Sequence, residues 1–278
     1  MAKRYKLKTL IVSNGVLIVF SILVFIPVWY YLNNAFKEAK FIYQNPLFIT
    51  PSQITLQNIF RAYKLLKYPR SLLNSFIFVS ASCSILVLTS SLGAYAIALV
   101  NSKLLNSIYF AFVLMITLPF GLAMIPLVSM LRDLRMLNTY LGTSLIYVAT
   151  GIPFAIFLYT GYIRTIPKDF EEAARIDGSG MFRTYLSIYF PLLKTITVTL
   201  LILRGVGIYN DLLIPLITIS DVGKVPLTLR LYSFATEKII YWELLFAGTF
   251  LVSMPMILAF IFIQRYITTD ALGGALKG

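Results

Sequence analysis

The chain has 278 residues, of which 59% are hydrophobic and 13% charged, with a mean hydropathy of +0.83. A soluble domain carries about a quarter charged residues to wet its exterior, so an ordinary soluble globule is excluded and lipid becomes the solvent for much of the surface. The net charge of +13, from 24 Lys and Arg against 11 Asp and Glu, fits basic residues that flank membrane spans and meet anionic head groups of membrane lipid. No basic stripe interleaved with aromatics accompanies it, and nucleic acid is set aside as a partner.

Six apolar stretches follow in chain order, at about 10–32, 72–100, 107–130, 141–163, 192–219 and 244–265. Each is close to or above the ~20 residues that a spanning helix needs. The first follows Lys3, Arg4, Lys6 and Lys8. It outruns the ~7–15 apolar residues of a signal peptide and ends in no small-residue cleavage site, so it is read as a retained first span. An even number of spans puts both ends on one side. Basic residues divide almost evenly between the two sides, and only the cluster before the first span favours a cytoplasmic N-terminus. The single cysteine, Cys83, lies in an apolar run and allows no intramolecular disulfide. Histidine is absent, no Cys, Asp and Glu cluster replaces it, and no metal site is assigned.

The connections differ in character. Residues 33–70 form a long, aromatic first loop with Pro46 and Pro51, expected to hold a short helix along the outer surface. Residues 101–106 read as a tight turn. Residues 164–191 form the longest inner connection and carry both signs of charge. In it Pro167 ends one helix, and Asp169 is placed to cap the next, with Glu172 three residues on in a capping-box arrangement. Glu171 and Glu172 suit the positive end of the helix dipole, and Gly178 supplies a stop. The result is a helix of about two turns, too short to be stable alone. Phe170, Ala173, Ala174 and Asp177 share one of its faces. From spacing alone, that face either packs on its own membrane domain or docks on a partner.

Polar groups inside spans are costly and point to function. The fifth stretch holds Arg204, Tyr209, Asn210 and Asp211. Tyr209, Asn210 and Asp211 are candidates for lining a polar path through the membrane. The other reading has Asn210 and Asp211 bonding to neighbouring helices, and it is favoured for Asp211. Pro119, Pro126 and Pro153 either kink the third and fourth spans or only shape packing there. A phosphate-cradling G-x-x-x-x-G-K-[ST] pattern is missing.

Glu172-Ala173-Ala174, then Gly178, then Ile188-Tyr189-Phe190-Pro191 resembles the EAA loop of ATP-binding-cassette import permeases. The spacing is kept throughout, with Phe190 where Leu is usual. Ala173 to Gly178 resembles the carbohydrate-specific, maltose-type class. Pro126-Leu127, Asn210-Asp211 (after Tyr209 in place of Trp) and the terminal Gly273-Gly274-Ala275-Leu276-Lys277-Gly278 are similar to it as well. The resemblance implies an all-α membrane protein of six spans, in the type I importer permease fold, with a cytoplasmic coupling helix. It implies multi-pass placement in the cell membrane with both termini cytoplasmic.

By that likeness the coupling residues are Glu171, Glu172, Ala173, Ala174, Arg175, Asp177 and Gly178. A flexible tail through Gly273, Gly274, Lys277 and Gly278 would reach towards the ATPases. The implied partners are a second, homologous permease chain, two ATPase subunits and an extracellular solute-binding protein. ATP and Mg would be bound by the ATPases and no cofactor by this chain, which would not be an enzyme. Cargo stays open between a sugar and another solute such as glycerol phosphate or a polyol. An ion-gradient transporter leaves the EAA segment unexplained and lacks the usual repeats. A membrane enzyme lacks converging acid, base or metal groups.

Overall fold

The computed structural model describes residues 2–100, 102–235 and 240–275, with the side chains of 2–9, Arg175, Ile263 and 265–275 left aside. In chain order the helices are α1 (Ala2–Ala35), α2 (Ala39–Gln44), α3 (Gln57–Leu65), α4 (Tyr68–Leu99), α5 (Lys103–Ile116), α6 (Phe120–Asp133) and α7 (Tyr140–Ile163). They continue as α8 (Asp169–Ile176), α9 (Met181–Thr184), a π turn (Tyr185–Tyr189), α10 (Phe190–Leu192), α11 (Lys194–Asn210), α12 (Leu213–Thr218), α13 (Leu227–Tyr232) and α14 (Trp242–Ala275). Among the described residues, four helices are long and apolar enough to cross a membrane alone. Two bent pairs, Lys103–Ile116 with Phe120–Asp133 and Met181–Leu192 with Lys194–Asn210, raise this to six.

The bent pairs correct two expected spans. The third is not one rod over 107–130: it breaks between Ile116 and Phe120 through 108°. Pro119 has no N–H to continue the helix and disfavours helical geometry at Leu118, which lies in neither helix. The fifth does not run to 219. A break of 69° precedes Lys194, and α11 ends at Asn210, where Asp211 turns extended (φ −70°, ψ 136°). Pro126 and Pro153, by contrast, sit inside α6 and α7 without ending them. The supposed turn at 101–106 is mostly the start of α5. The last helix continues through Gly273 and Gly274 to Ala275, so the expected flexible tail is helical there, while Lys277 and Gly278 lie outside the described residues.

The chain forms two compact units. The first holds residues 1–68 and 230–258. Leu10 to Ile26 of α1 are exposed, without burial in this chain, as an apolar helix in lipid would be. Near its end the chain becomes polar and is clipped down. The Asn33 and Asn34 amides donate to the Pro46 carbonyl, and the buried Lys37 ammonium donates to the Asn45 carbonyl at 2.6 Å. Burial pushes the Lys37 pKa down. Asn58 of α3 donates to the Lys37 carbonyl. Tyr30 of α1 and Phe36 just after it pack edge-on against Phe246 and Phe250 of α14 respectively.

The second unit holds residues 69–229 and 259–278, and α7 lies at its centre, packed against α5, α6, α11 and α12. Its first turn is tightly determined. Arg135 and Asn138 take positive φ, and Thr139 Oγ1 caps the helix by accepting from Gly142 N–H at 2.9 Å. A side chain at Gly142 would put its Cβ 2.1 Å from the Met136 carbonyl oxygen. That neighbour is backbone and cannot swing away. Gly142→Ala is therefore expected to destabilise the protein by at least ~1–3 kcal/mol, the usual cost of overpacking. Thermal unfolding in detergent checks this: an unchanged midpoint would contradict it.

Candidate functional site

The 164–191 segment is built as a short helix, a glycine turn and a return helix. Lys168 O accepts from both Glu171 N–H and Glu172 N–H, so the helix begins one residue earlier than expected. Lys168, following the rigid Pro167, occupies the cap position. Asp169 becomes the first helical residue and the expected Asp169/Glu172 capping box is not formed in that register. Asp169, Glu171 and Glu172 still fill the first turn, where carboxylates offset the dipole. The helix closes at Gly178, whose φ of +72° is strained for any residue with a Cβ. Ser179 N–H reaches back to Ala174 O, a Schellman closure.

The faces of α8 divide the predicted residues. Phe170, Ala173, Ala174 and Asp177 line a cleft of about 600 Å³ whose far wall is Arg183, Ser187 and Ile188 of the return segment. Ala174 is only 4% exposed. It therefore seats α8 on its own chain and is withdrawn as a contact residue for a partner. Glu172 and Ala173 are exposed, and Ile176 is 86% exposed, more than any other large apolar side chain among the described residues. Glu171 is half-buried; with Glu172, Arg164, Lys168 and Asn106 it lines a second cleft of about 500 Å³ beside the C-terminal end of α4. The Arg164 guanidinium lies over the Tyr109 ring at 5.0 Å.

The polar residues of the fifth span meet different fates. Tyr209 is buried, and its carbonyl accepts from Thr228. Asp211 is fully engaged: Oδ2 accepts from Tyr147 Oη at 2.9 Å and Ile214 N–H at 3.0 Å, and Oδ1 from Leu213 N–H at 3.3 Å. It pairs the backbone donors that open α12 and ties the break to α7. Asn210 alone of the three exposes its side chain. Arg204 donates to the Tyr147 carbonyl at 3.3 Å, in space left by Gly151.

Several residues that organise this region are absent from the sequence-based candidates. Tyr147 holds Asp211, and Thr143, four residues earlier, donates to Thr218 of α12 at 3.0 Å. Asn138 N–H donates to Thr218 O, its Oδ1 accepts from Ser220 and Asp221 N–H, and Lys224 Nζ donates to its carbonyl. Asn74 donates to the carbonyls of Gly223 and Val225 and accepts from Tyr140. The available signal was a run of polar residues at helical spacing within the fourth apolar stretch, Thr143 and Tyr147.

Comparison with known proteins places this geometry. Residues 87–271 match the family described as binding-protein-dependent transport system inner membrane component. The chain belongs to that family. It is 34% identical over 255 residues to the melibiose/raffinose/stachyose import permease protein MelC of Bacillus subtilis (strain 168), covering 91% of this chain and 92% of that one. It is 31% identical to the multiple sugar-binding transport system permease protein MsmG of Streptococcus mutans serotype c, covering 92% and 93%. A solved bacterial ABC transporter involved in import of the acidic polysaccharide alginate shares the fold, with a TM-score of 0.79, 22% identity, and coverage of 92% and 95%.

Two expectations follow from the site. Tyr147→Phe removes one hydrogen bond and keeps the ring. It should cost roughly 1–2 kcal/mol, and chemical unfolding of the purified protein should show no such loss when Asp211→Ala is already present. Additive losses would contradict a direct Tyr147–Asp211 bond. At the loop after α12, the Gly223 N–H and then the Lys224 ammonium hold the Asp221 carboxyl below its ordinary value of 3.8. A carboxyl depressed on folding stabilises above its unfolded pKa and loses that contribution as pH falls through the folded one. The melting difference between wild type and Asp221→Ala should therefore be present at pH 7 and shrink below about pH 4; a constant difference would contradict it.

Proposed function

We propose that this chain is the membrane permease subunit of an ATP-driven importer whose cargo is a sugar or short oligosaccharide. In the assembly it pairs with a second, homologous permease chain, two ATPase subunits and an extracellular solute-binding protein. ATP and Mg belong to the ATPases. Both termini and the 164–191 segment face the cytoplasm, and α8 is the coupling helix seated on an ATPase.

The observation that carries this reading is the exposed face of α8. A two-turn helix needs a docking surface. Ala174 fastens one side of it to its own chain, leaving Glu172, Ala173 and Ile176 outward. An acidic group beside a bare apolar side chain, outside the candidate spans, fits a protein partner offering a socket rimmed by basic groups. The family membership and the sugar-permease names of the relatives support the cargo class. Asn210 remains a candidate for the sugar path. Tyr209 and Asp211 serve the bundle, since their polar groups are buried or engaged.

Glu172→Lys is expected to reduce ATPase co-purification at least tenfold and abolish uptake while the permease remains folded in the membrane. In proteoliposomes holding the complete transporter and the binding protein, raffinose or maltotriose uptake should require ATP on the ATPase side. Normal co-purification in the variant would remove the coupling assignment. Uptake driven by an imposed ion gradient without ATP would overturn the importer reading.

A further inference from the structure

Beneath the coupling segment lies a cluster of tyrosines that none of the preceding assignments uses. Tyr95, on the last turns of α4, packs against Tyr185 and Tyr189 at ring-centroid distances of 5.3 and 5.0 Å. All three rings are buried. Two hydrogen bonds accompany the rings. Ser91 of α4 and Tyr185 bond through their hydroxyls at 2.7 Å, and Tyr95 Oη donates to the Met181 carbonyl at 3.1 Å. Both bonds run between α4 and the return segment that follows Gly178.

Tyr185 and Tyr189 mark the two ends of the π turn. Its cause is in the sequence. Pro191 has no N–H for the Ser187 carbonyl, and its ring would strike that carbonyl in a regular α-helix. The turn widens, and Phe190 N–H bonds to Tyr185 O, five residues back. Two residues after Pro191 the chain bends by 69° into α11. Single π turns of this kind recur at functional sites. The joint to α11 is itself bonded across the bend, Leu193 N–H to Tyr189 O and Thr197 N–H to Leu193 O, both at 2.9 Å. The contact with α4 is buried and hydrogen-bonded. A displacement of α8 carried through the Gly178 turn therefore acts on α4 through these buried bonds.

We propose that Ser91, Tyr95 and Tyr185 are positioning residues that transmit the movement of the coupling helix to α4, the second span. The proposal rests on the coupling role given to α8 above. Tyr185→Phe and Ser91→Ala each delete one hydroxyl and leave the packed rings in place.

The test is hydrogen exchange by mass spectrometry on the complete transporter, nucleotide-free and with ATP trapped by vanadate. In wild type, ATP should change exchange in α8 to α10 and in residues 91–99 of α4. In Tyr185→Phe and in Ser91→Ala the change in α8 to α10 should persist, while that in 91–99 falls roughly fivefold, the worth of one net hydrogen bond. The double variant should be no worse than either single one. Wild-type response of 91–99 in both variants would overturn the transmission proposal. If ATP leaves α8 itself unaffected in wild type, the coupling role fails, and this proposal with it.

Discussion

Hydrocarbon offers a backbone no hydrogen bonds, so every N–H and C=O freed where a helix breaks must be met from within the protein. That constraint organises the second unit. Where α11 stops, Asp211 takes the opening donors of α12 and holds Tyr147. Where α7 starts, Thr139 takes the Gly142 N–H, and Asn138, in a left-handed conformation, takes two donors from the loop after α12. Ser75 of α4 accepts from Leu227 N–H at the head of α13. The end of α11 and the segment after α12 are thus not loose ends: they are pinned to α4 and α7, which become the frame on which these pieces hang.

The apolar blocks are legible in the sequence because a spanning helix needs only length and hydrophobicity, and every block holds a helix. The breaks are less legible, and the reason is local. Pro119 and Pro153 look alike in a string of letters. Pro119 follows Thr117, whose hydroxyl turns back to the Leu114 carbonyl at 2.8 Å, and the helix ends there. Pro153 sits mid-helix in α7, with neighbours packed on several sides, and the helix carries on. Packing decides between a tolerated proline and a terminating one, and packing is not written in the proline. The end of α11 is similarly hidden, since Asn-Asp within an apolar run reads as membrane-buried polarity until Asp211 is seen to cap the next helix.

At the coupling segment, capping chemistry and spacing yield the helix, its acidic first turn and the Gly178 stop. They misplace the start by one residue, because Lys168 O accepts two donors at once. They also cannot separate the two alanines. Ala173 and Ala174 are equivalent in a helical wheel with an unknown neighbour. In the fold Ala174 is buried and Ala173 exposed, a difference that depends on what packs beside α8. The partners of Tyr147, Asn138 and Asn74 were hidden for a similar reason: they lie 64 to 151 residues away, on elements whose adjacency no local pattern encodes.

The bare α1 leads elsewhere. From Leu10 to Ile26 nothing in this chain touches enough of it to bury a side chain, and its hydroxyls are settled locally, Ser13 on Leu10 O and Ser21 on Leu17 O. Such a segment is complete as a membrane element the moment it leaves the ribosome, before any helix that follows has been made. Within the fold it acts as a tether whose grip begins only at Tyr30, where rings and buried amides take over. Its apolar residues are therefore interchangeable as far as this chain is concerned, and drift among Leu, Ile, Val and Phe there carries no internal penalty.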